Sequence, residues 1–151
     1  MKTTEMKRYK SAEWSFALDI PRNWHALPPV SSNSPFEVIR FASKEDGTHL
    51  VIIFRALRNP NTPLKDICDQ ARQKLVSHNF GNFTTTETRI ESREALVLEF
   101  DRPQDQGTWS CREYFLAEGA LQYTLGFGTT GKDNMFDLYD RMAKSFEFSV
   151  E

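Results

Sequence analysis

Cysteine and histidine are scarce in this chain. Cys68 and Cys111 are the two cysteines, and they stand far apart in no paired motif, so neither a disulfide framework nor a thiolate zinc site is indicated. No HExxH or GxSxG pattern occurs, so metal hydrolysis and nucleophile-elbow chemistry lack their usual spacing. We therefore expect no catalytic residue, no metal, no cofactor and a reducing compartment. Both cysteines are interpreted as core residues, and the histidines as surface residues: His25, His49 and His78.

An excess of basic residues is also missing. Nineteen Lys and Arg face twenty-one Asp and Glu, a formal charge of -2, whereas binding nucleic acid requires the neutralisation of several phosphates. Long apolar runs are missing too, because the densest one extends only from Leu50 to Phe54 and the first residues are charged. We expect no nucleic-acid partner, no direct membrane insertion and a cytoplasmic location.

Aromatic residues are abundant instead. Twelve Phe, four Tyr and three Trp among 151 residues are typical of a globular chain, and this length suits a single domain over residues 1–151. The most informative segment runs from Phe16 to Trp24. Its apolar residues alternate at the period of a strand as far as Ile20, and Pro21 ends that strand. Trp24 is expected to fold back over the strand end.

A loop and a hairpin follow. The stretch from Ala26 to Pro35 is rich in proline, serine and asparagine, which predicts an irregular surface loop. Two strand-like runs come next, Phe36 to Ser43 and His49 to Leu57. Gly47 lies between them and supplies the turn, so they are predicted to pair as a hairpin.

A helix is predicted to start at Thr62 and Pro63. The threonine hydroxyl can cap free N–H groups, and proline is preset to a helical φ. From Leu64 to Leu75 apolar residues recur at helical spacing and form one buried stripe. Asn79 or Gly81 is expected to take the left-handed conformation that ends the helix.

Four further strands and a second helix complete the pattern. The strands are Phe83 to Ile90, Ala95 to Asp101, Thr108 to Ala117 and Leu121 to Gly128. Their short connections predict an antiparallel meander. In the second helix, capped by Asp133 or Asn134, apolar residues from Met135 to Phe146 form one stripe. The sequence thus predicts an α+β fold, a largely antiparallel sheet of about six to seven strands covered by two main helices.

One glycine-rich motif invites a nucleotide-binding interpretation. Gly126-Phe-Gly-Thr-Thr-Gly131-Lys132-Asp133 matches GxGxxG and most of a phosphate-binding loop. A dinucleotide fold needs a βαβ unit and an acidic residue about twenty positions on, for which the chain after Gly131 leaves no room. A phosphate loop needs Ser or Thr where Asp133 stands. We therefore interpret the motif as an exposed strand-to-helix turn whose glycines allow positive φ.

Charged residues inside predicted strands are the candidates for a binding site. Arg55, Glu99 and Arg112 stand among apolar residues, and Tyr114 follows close to Arg112. The plainer interpretation is a set of cross-strand ion pairs, each worth about a few tenths of a kcal/mol. The alternative is a polar and aromatic groove on an uncovered sheet face that accepts a ligand or a partner.

The order of the elements is distinctive. It begins with Tyr9-Lys-Ser and the segment from Trp14 to Trp24, continues through the hairpin and helix to a meander ending in Leu121-Gln-Tyr-Thr-Leu-Gly-Phe127, and closes on Ser145-Phe-Glu-Phe148. Over nearly the whole chain this order resembles the PsbP-like superfamily. That superfamily includes the extrinsic PsbP subunit of photosystem II, the Ran-binding Mog proteins, the DcrB lipoproteins and the Eag chaperones of type VI secretion. The resemblance implies an α/β/α sandwich without enzymatic activity that binds another protein.

The resemblance also narrows the expected function. The chain lacks the lipidation cysteine and signal segment of DcrB-type lipoproteins and the transit segment of a PsbP precursor, which favours a cytoplasmic member. An Eag-like chaperone shields apolar effector helices on its sheet and is dimeric, which would suit a groove containing Trp109 and Tyr114. We therefore expect a non-enzymatic, cytoplasmic, protein-binding or chaperone-like domain, an accessory protein of a secretion system and a homodimer. The alternative is a small-ligand-binding protein or an enzyme with a pocket near these residues: Trp24, His25, Arg55 or Arg112.

Overall fold

The computed structural model describes residues 5–43, 49–104, 107–130 and 135–148. Within these ranges it contains ten strands and two helices. The strands are β1 (Met6–Ser11), β2 (Phe16–Pro21), β3 (Trp24–Leu27), β4 (Glu37–Ser43), β5 (His49–Leu57), β6 (Gly81–Ile90), β7 (Arg93–Gln104), β8 (Gly107–Glu118), β9 (Leu121–Thr129) and β10 (Glu147–Phe148). The helices are α1 (Leu64–Ser77) and α2 (Phe136–Lys144). Neither of these described helices combines the length and the apolar character needed to cross a membrane.

Seven strands form one antiparallel sheet in the order β3-β4-β5-β9-β8-β7-β6. The predicted hairpin is β4 with β5, and the predicted meander is β6 to β9. β5 pairs with β9 along its whole length and so joins the hairpin to the meander. A second, three-stranded sheet has the order β1-β2-β10. The α+β prediction and the seven-stranded antiparallel sheet are confirmed.

The two faces of the large sheet are covered by different elements. On one side, the α1 face, Ile67 and Cys68 pack against apolar side chains of β7 and β8. On the other side, the α2 face, Tyr139 and Met142 join the core between the large sheet, the small sheet and α2. This second core is strongly aromatic, and its almost fully buried rings are Phe16, Phe41, Tyr114, Tyr123, Phe127, Tyr139 and Phe146.

The segment from Phe16 to Trp24 is confirmed in part. The alternating residues Phe16, Leu18 and Ile20 are buried as predicted, but Ala17 between them is buried as well, because β2 is the central strand of the small sheet and packs on the large one. Trp24 is only 4% exposed and packs in the same core, as expected. However, Trp24 opens β3, which pairs with β4, so the predicted loop from Ala26 begins inside a strand.

The small sheet was missed because its outer strands are short or polar. β1 reads Met-Lys-Arg-Tyr-Lys-Ser, a composition typical of an edge strand that discourages association with other chains. Arg8 on this strand bonds Asp19 of β2 and Glu147 of β10, each at 3.0 Å. The pairing of all three strands is therefore visible only once the chain is folded.

The ends of α1 correct one prediction and confirm another. The Thr62 hydroxyl caps nothing, since Pro63 is the N-cap residue and no side chain bonds the first turn. The carbonyl of Pro63 accepts the first helical hydrogen bond, from Asp66 at 3.0 Å, so Thr62 lies one residue too early. At the other end Asn79 takes the left-handed conformation with φ of 70°. The turn predicted at Gly47 and the caps predicted at Asp133 and Asn134 lie outside the described residues.

Candidate binding groove

The α1 helix covers only part of its face of the large sheet. Seven strands spaced about 4.8 Å apart give a sheet nearly 30 Å wide, whereas a helix with its side chains is about 10 Å across. α1 packs on β6, β7 and β8, which form one end of the sheet. Side chains of β5 and β9 on this face therefore stay half-buried, among them Ile52, Phe54 and Thr124.

A groove of about 1090 Å³ lies over these strands. One wall is α1, which contributes Gln70, Lys74 and Leu75, and the opposite wall is the segment 32–36 together with Arg40. Its floor belongs to β5, β8 and β9 and is mainly apolar. The larger floor side chains are Leu50, Ile52, Phe54, Trp109, Glu113 and Phe115.

Two glycines of β9 leave space in the floor of the groove for neighbouring side chains. The motif interpretation placed Gly126 and Gly128 in an exposed turn, whereas the predicted strand from Leu121 to Gly128 contained both. The strand is confirmed, because both glycines lie inside β9 and neither has a positive φ. A Cβ atom on Gly128 would stand 2.2 Å from the ring of Trp109, so only glycine lets the indole lie against this strand. A Cβ atom on Gly126 would meet Phe54 at 3.3 Å and the Glu113 carboxylate at 3.4 Å. The turn prediction is wrong for these two glycines, and residues 131–133 of the motif lie outside the described residues.

Glu113 is the acidic side chain of the floor. It stands opposite Gly126 in the register of β8 and β9, and Ile52 stands opposite Gly126 on the other side. Removal of the carboxyl from water raises the pKa of Glu113 to about 7. No ion pair or hydrogen bond from another described residue offsets that cost. The groove thus contains one carboxyl group that is half ionised near neutral pH.

A buried acid–base pair holds the outer wall in place. The side chain of Glu37 has no exposed surface and accepts hydrogen bonds from the Val30 N–H at 3.0 Å, from Asn33 Nδ2 at 2.9 Å and from Arg40. Burial opposes ionisation of Glu37, but these bonds outweigh it and hold its pKa below the usual value. The segment 30–37 is thereby fixed to β4, and Arg40 is neutralised within the wall.

Comparison with solved structures identifies the architecture. The solution structure of cyanobacterial PsbP (CyanoP) from Synechocystis sp. PCC 6803 superposes with a TM-score of 0.73 over 97% of this chain and 94% of that chain, at 13% sequence identity. The chain has a PsbP-like fold. A protein from Bacteroides thetaiotaomicron shares it with a TM-score of 0.67 and 12% identity, over 96% of this chain and 49% of that one. LpqN of Mycobacterium tuberculosis, involved in cell envelope biogenesis, does so with a TM-score of 0.61 and 11% identity, over 99% and 93%.

These similarities concern the PsbP-like fold and not an activity, because identities of 11 to 13% do not carry functional residues from one chain to another. The sequence matches no protein-family model and no curated protein. Function must therefore be argued from the side chains of the chain itself.

Three of the four predicted binding residues come together, but on the α2 face of the PsbP-like sheet. Arg112 of β8 pairs with Glu99 of β7, as the plainer interpretation expected. Arg112 also lies 3.3 Å from the hydroxyl of Tyr114, which donates to Asp140 of α2 at 3.0 Å, and its guanidinium lies 4.4 Å from the ring of Phe136. Tyr114 is fully buried, so α2 covers the face that we predicted to be uncovered.

The fourth predicted residue lies elsewhere. Arg55 of β5 is among the residues that line the groove, but its guanidinium lies 5.3 Å from the ring of Trp14, which packs against the core on the α2 face. Trp24 belongs to the core, and His25 is not among the residues that line the groove. Trp109 and Tyr114 differ by an odd number of residues on β8 and therefore point to opposite faces, so the expectation of one groove containing both is wrong.

The two thiols are poorly suited to reaction. Cys68 and Cys111 are both buried on the α1 face, and burial raises the pKa of each thiol. The core interpretation of both cysteines is confirmed. Within the described ranges no three His, Cys, Asp or Glu side chains are grouped as metal ligands would be.

Sequence reasoning missed Glu113 although a signal was present. On β8, Trp109, Cys111 and Phe115 alternate as one apolar set, and Glu113 interrupts that set. The adjacent Arg112 and Tyr114 drew the prediction to the other face. The charged residue that breaks an apolar alternation was the better guide to the open groove.

Proposed function

We propose that this protein is a non-enzymatic, chaperone-like domain that binds an apolar helical segment of another protein in the groove beside α1. The observation that carries the proposal is the half-covered α1 face, with its apolar floor over β5, β8 and β9. Its opposite face is already filled by α2 and the small sheet. The groove is therefore the part of the molecule best suited to a partner.

The dimensions of the groove suit a helix. From β5 through β9 to β8 the floor spans two strand spacings, about 10 Å, which is the diameter of a helix with its side chains. Along the strands, the lining from Leu50 to Ala56 covers six residue steps, or about 20 Å. This length corresponds to roughly 13 residues of helix. A partner helix would lie on the sheet as α1 lies on its own half.

The apolar side chains that line the groove also favour an amphipathic helix as the partner. Leu50, Ile52 and Phe54 present half-buried apolar side chains from β5, and Trp109 adds an aromatic surface from β8. Burial of such surface stabilises a complex by about 25 cal/mol per Å² before the cost of association is subtracted. An amphipathic helix laid into an apolar groove is a common mode of peptide recognition.

The resemblance to secretion chaperones supplies the remaining parts of the proposal. A cytoplasmic location, an accessory role in secretion and a homodimer stay predictions that the likeness motivates. The neighbours in fold range from a cyanobacterial PsbP to a protein of cell envelope biogenesis, so the fold alone favours none of them.

A blocked groove tests the proposal. The probe is a fluorescein-labelled helical peptide of about 13 leucine and alanine residues with one central glutamine, used at pH 6, where most Glu113 is protonated. Thr124→Trp places an indole on the floor between Phe54 and Phe115, and we expect it to weaken probe binding at least about 10-fold in fluorescence anisotropy.

The matched control is Thr86→Trp, which adds the same ring to an exposed position of β6 outside the groove. It should bind the probe as the parent does, and both variants should keep the parent circular dichroism spectrum. Probe binding that Thr124→Trp leaves unchanged would remove the groove from the proposal. A groove that binds a small apolar dye but no peptide would favour the alternative, a small-ligand-binding protein.

A further inference from the structure

The carboxyl group of Glu113 is unusual within the groove. It lies on the middle row of the floor, with the row of Phe54, Thr124 and Phe115 on one side and the row of Leu50, Gly128 and Cys111 on the other. An ionised carboxylate in such apolar surroundings is costly unless a cation or several hydrogen bonds compensate for it. Within the described part of the chain neither is provided.

The charged and titratable groups around Glu113 are already engaged or neutral. Two thiols interact electrostatically with Glu113, Cys68 of α1 and Cys111 of β8, and both remain protonated because burial raises their pKa. The facing positions of β7, β9 and β5 are Leu98, Gly126 and Ile52.

Three arginine side chains at the edge of the groove interact with groups other than Glu113. On β4, Arg40 is paired with Glu37, and on β7 the guanidinium of Arg102 stacks 4.7 Å from the ring of Phe80. Arg58, ahead of α1, donates to the Thr62 carbonyl. Lys74 of α1 and Arg55 of β5 also line the groove, and neither pairs with Glu113. Among the described residues Glu113 therefore has no cationic partner.

We propose that the bound segment carries one lysine or arginine side chain near its centre, flanked by apolar residues, and that this cation pairs with Glu113. The inference rests on the proposed function and adds the chemistry of the occupant. Its basis is charge complementarity between a central, uncompensated carboxyl and an otherwise apolar floor.

The edge of the groove places a second condition on the segment. Lys74 of α1 and Arg102 of β7 line its periphery, so the charge there is positive while the centre is acidic. Additional basic residues at the ends of the segment would meet like charges. The preferred occupant has a single central cation and neutral or acidic ends.

Pairing with a cation makes binding depend on pH. A bound lysine favours the ionised form of Glu113 and lowers its pKa, so the complex forms with loss of a proton wherever free Glu113 is protonated. Affinity for a lysine-containing segment therefore rises as pH increases from 6 to 8. The affinity for a segment with glutamine at the same position does not rise over that pH range.

The test measures the binding of two peptide probes to the 151-residue chain. They are the leucine–alanine helix with central glutamine and the same helix with central lysine, measured by fluorescence anisotropy at pH 6 and pH 8. At pH 8 we expect the lysine probe to bind at least about 10-fold more tightly than the glutamine probe. In Glu113→Gln this preference should disappear, so that the lysine and glutamine probes bind with equal affinity.

Two controls make the outcomes decisive. Glu87→Gln changes an exposed carboxylate of β6 outside the groove and should keep the lysine preference. A ¹³C NMR titration should show the carboxyl of Glu113 titrating at lower pH with the lysine probe bound. Equal affinities for the two probes, or a preference that survives Glu113→Gln, overturns the inference but leaves the proposed function intact. Failure of both probes to bind overturns the proposed function itself.

Discussion

At the scale of the residue, Glu113 is a carboxyl group in apolar surroundings with no ion pair or hydrogen bond from another described residue. Its neighbours are a glycine, two thiols and apolar side chains, and burial raises the pKa of its carboxyl to about 7. The same strand carries Arg112, whose charge is met by Glu99 on the opposite face. Two adjacent residues of β8 thus show the difference between a charge that stabilises the fold and one left for a ligand.

Glu113 should make the stability of the free protein depend on pH. Because the pKa of Glu113 in the folded state lies above the usual value of 4.5, the folded protein holds this proton more tightly than the unfolded chain. Its stabilising contribution is complete below about pH 4.5 and is lost as pH rises through 7. Urea unfolding measures the effect. As pH rises from 5 to 8, the free energy of unfolding of Glu113→Gln should increase by roughly 1 to 3 kcal/mol relative to that of the parent.

Glu87→Gln serves as the control for the same chemical change at an exposed position of β6, and it should not reproduce the pH-dependent gain in stability of Glu113→Gln. Parallel curves for the parent and Glu113→Gln would mean that this carboxyl is hydrated in the free protein.

At the scale of the element, β9 shows how a sequence motif can be assigned to the wrong structure. The glycine motif from residue 126 suggested a turn, since glycine is the usual residue where φ is positive, although the predicted strand from Leu121 to Gly128 already contained Gly126 and Gly128. In the fold they serve another purpose, the close approach of Trp109 and Glu113 from the neighbouring strand. Local patterns predicted the hairpin, the meander and the long helix well, because hydrophobic alternation and helical spacing are properties of consecutive residues. The packing need for glycine arises between strands and could not be read from one of them.

Substitution of Gly126 and Gly128 by alanine should have different effects on stability. Gly128→Ala drives a methyl group into the ring of Trp109, where the distance would be 2.2 Å, and should cost roughly 1 to 3 kcal/mol of unfolding free energy. Gly126→Ala meets its neighbours at 3.3 Å or more and should cost less than about 1 kcal/mol. Chemical denaturation followed by tryptophan fluorescence measures both, and equal costs would contradict the account of the floor.

At the scale of the whole molecule, the large sheet has one filled face and one half-open face. Sequence patterns predicted the PsbP-like architecture, and the solved structures confirm it. The sequence patterns did not predict which face of the sheet stays open. That depends on how β1 and β10 pair with β2 and on where α2 packs against the large sheet. Tyr114 illustrates the consequence, since it was assigned to an uncovered face and is buried beneath α2. The groove follows from tertiary arrangement and not from any single segment.

The most direct test of the central claim is hydrogen–deuterium exchange of the full chain with and without the lysine probe at pH 8. We expect slower exchange in peptides that cover α1 and the floor strands β5, β8 and β9, with little change in α2 and in the small sheet. The groove-blocking variant Thr124→Trp should show no such slowing at the same probe concentration. Protection confined to α2 and the small sheet, with none beside α1, would contradict the account.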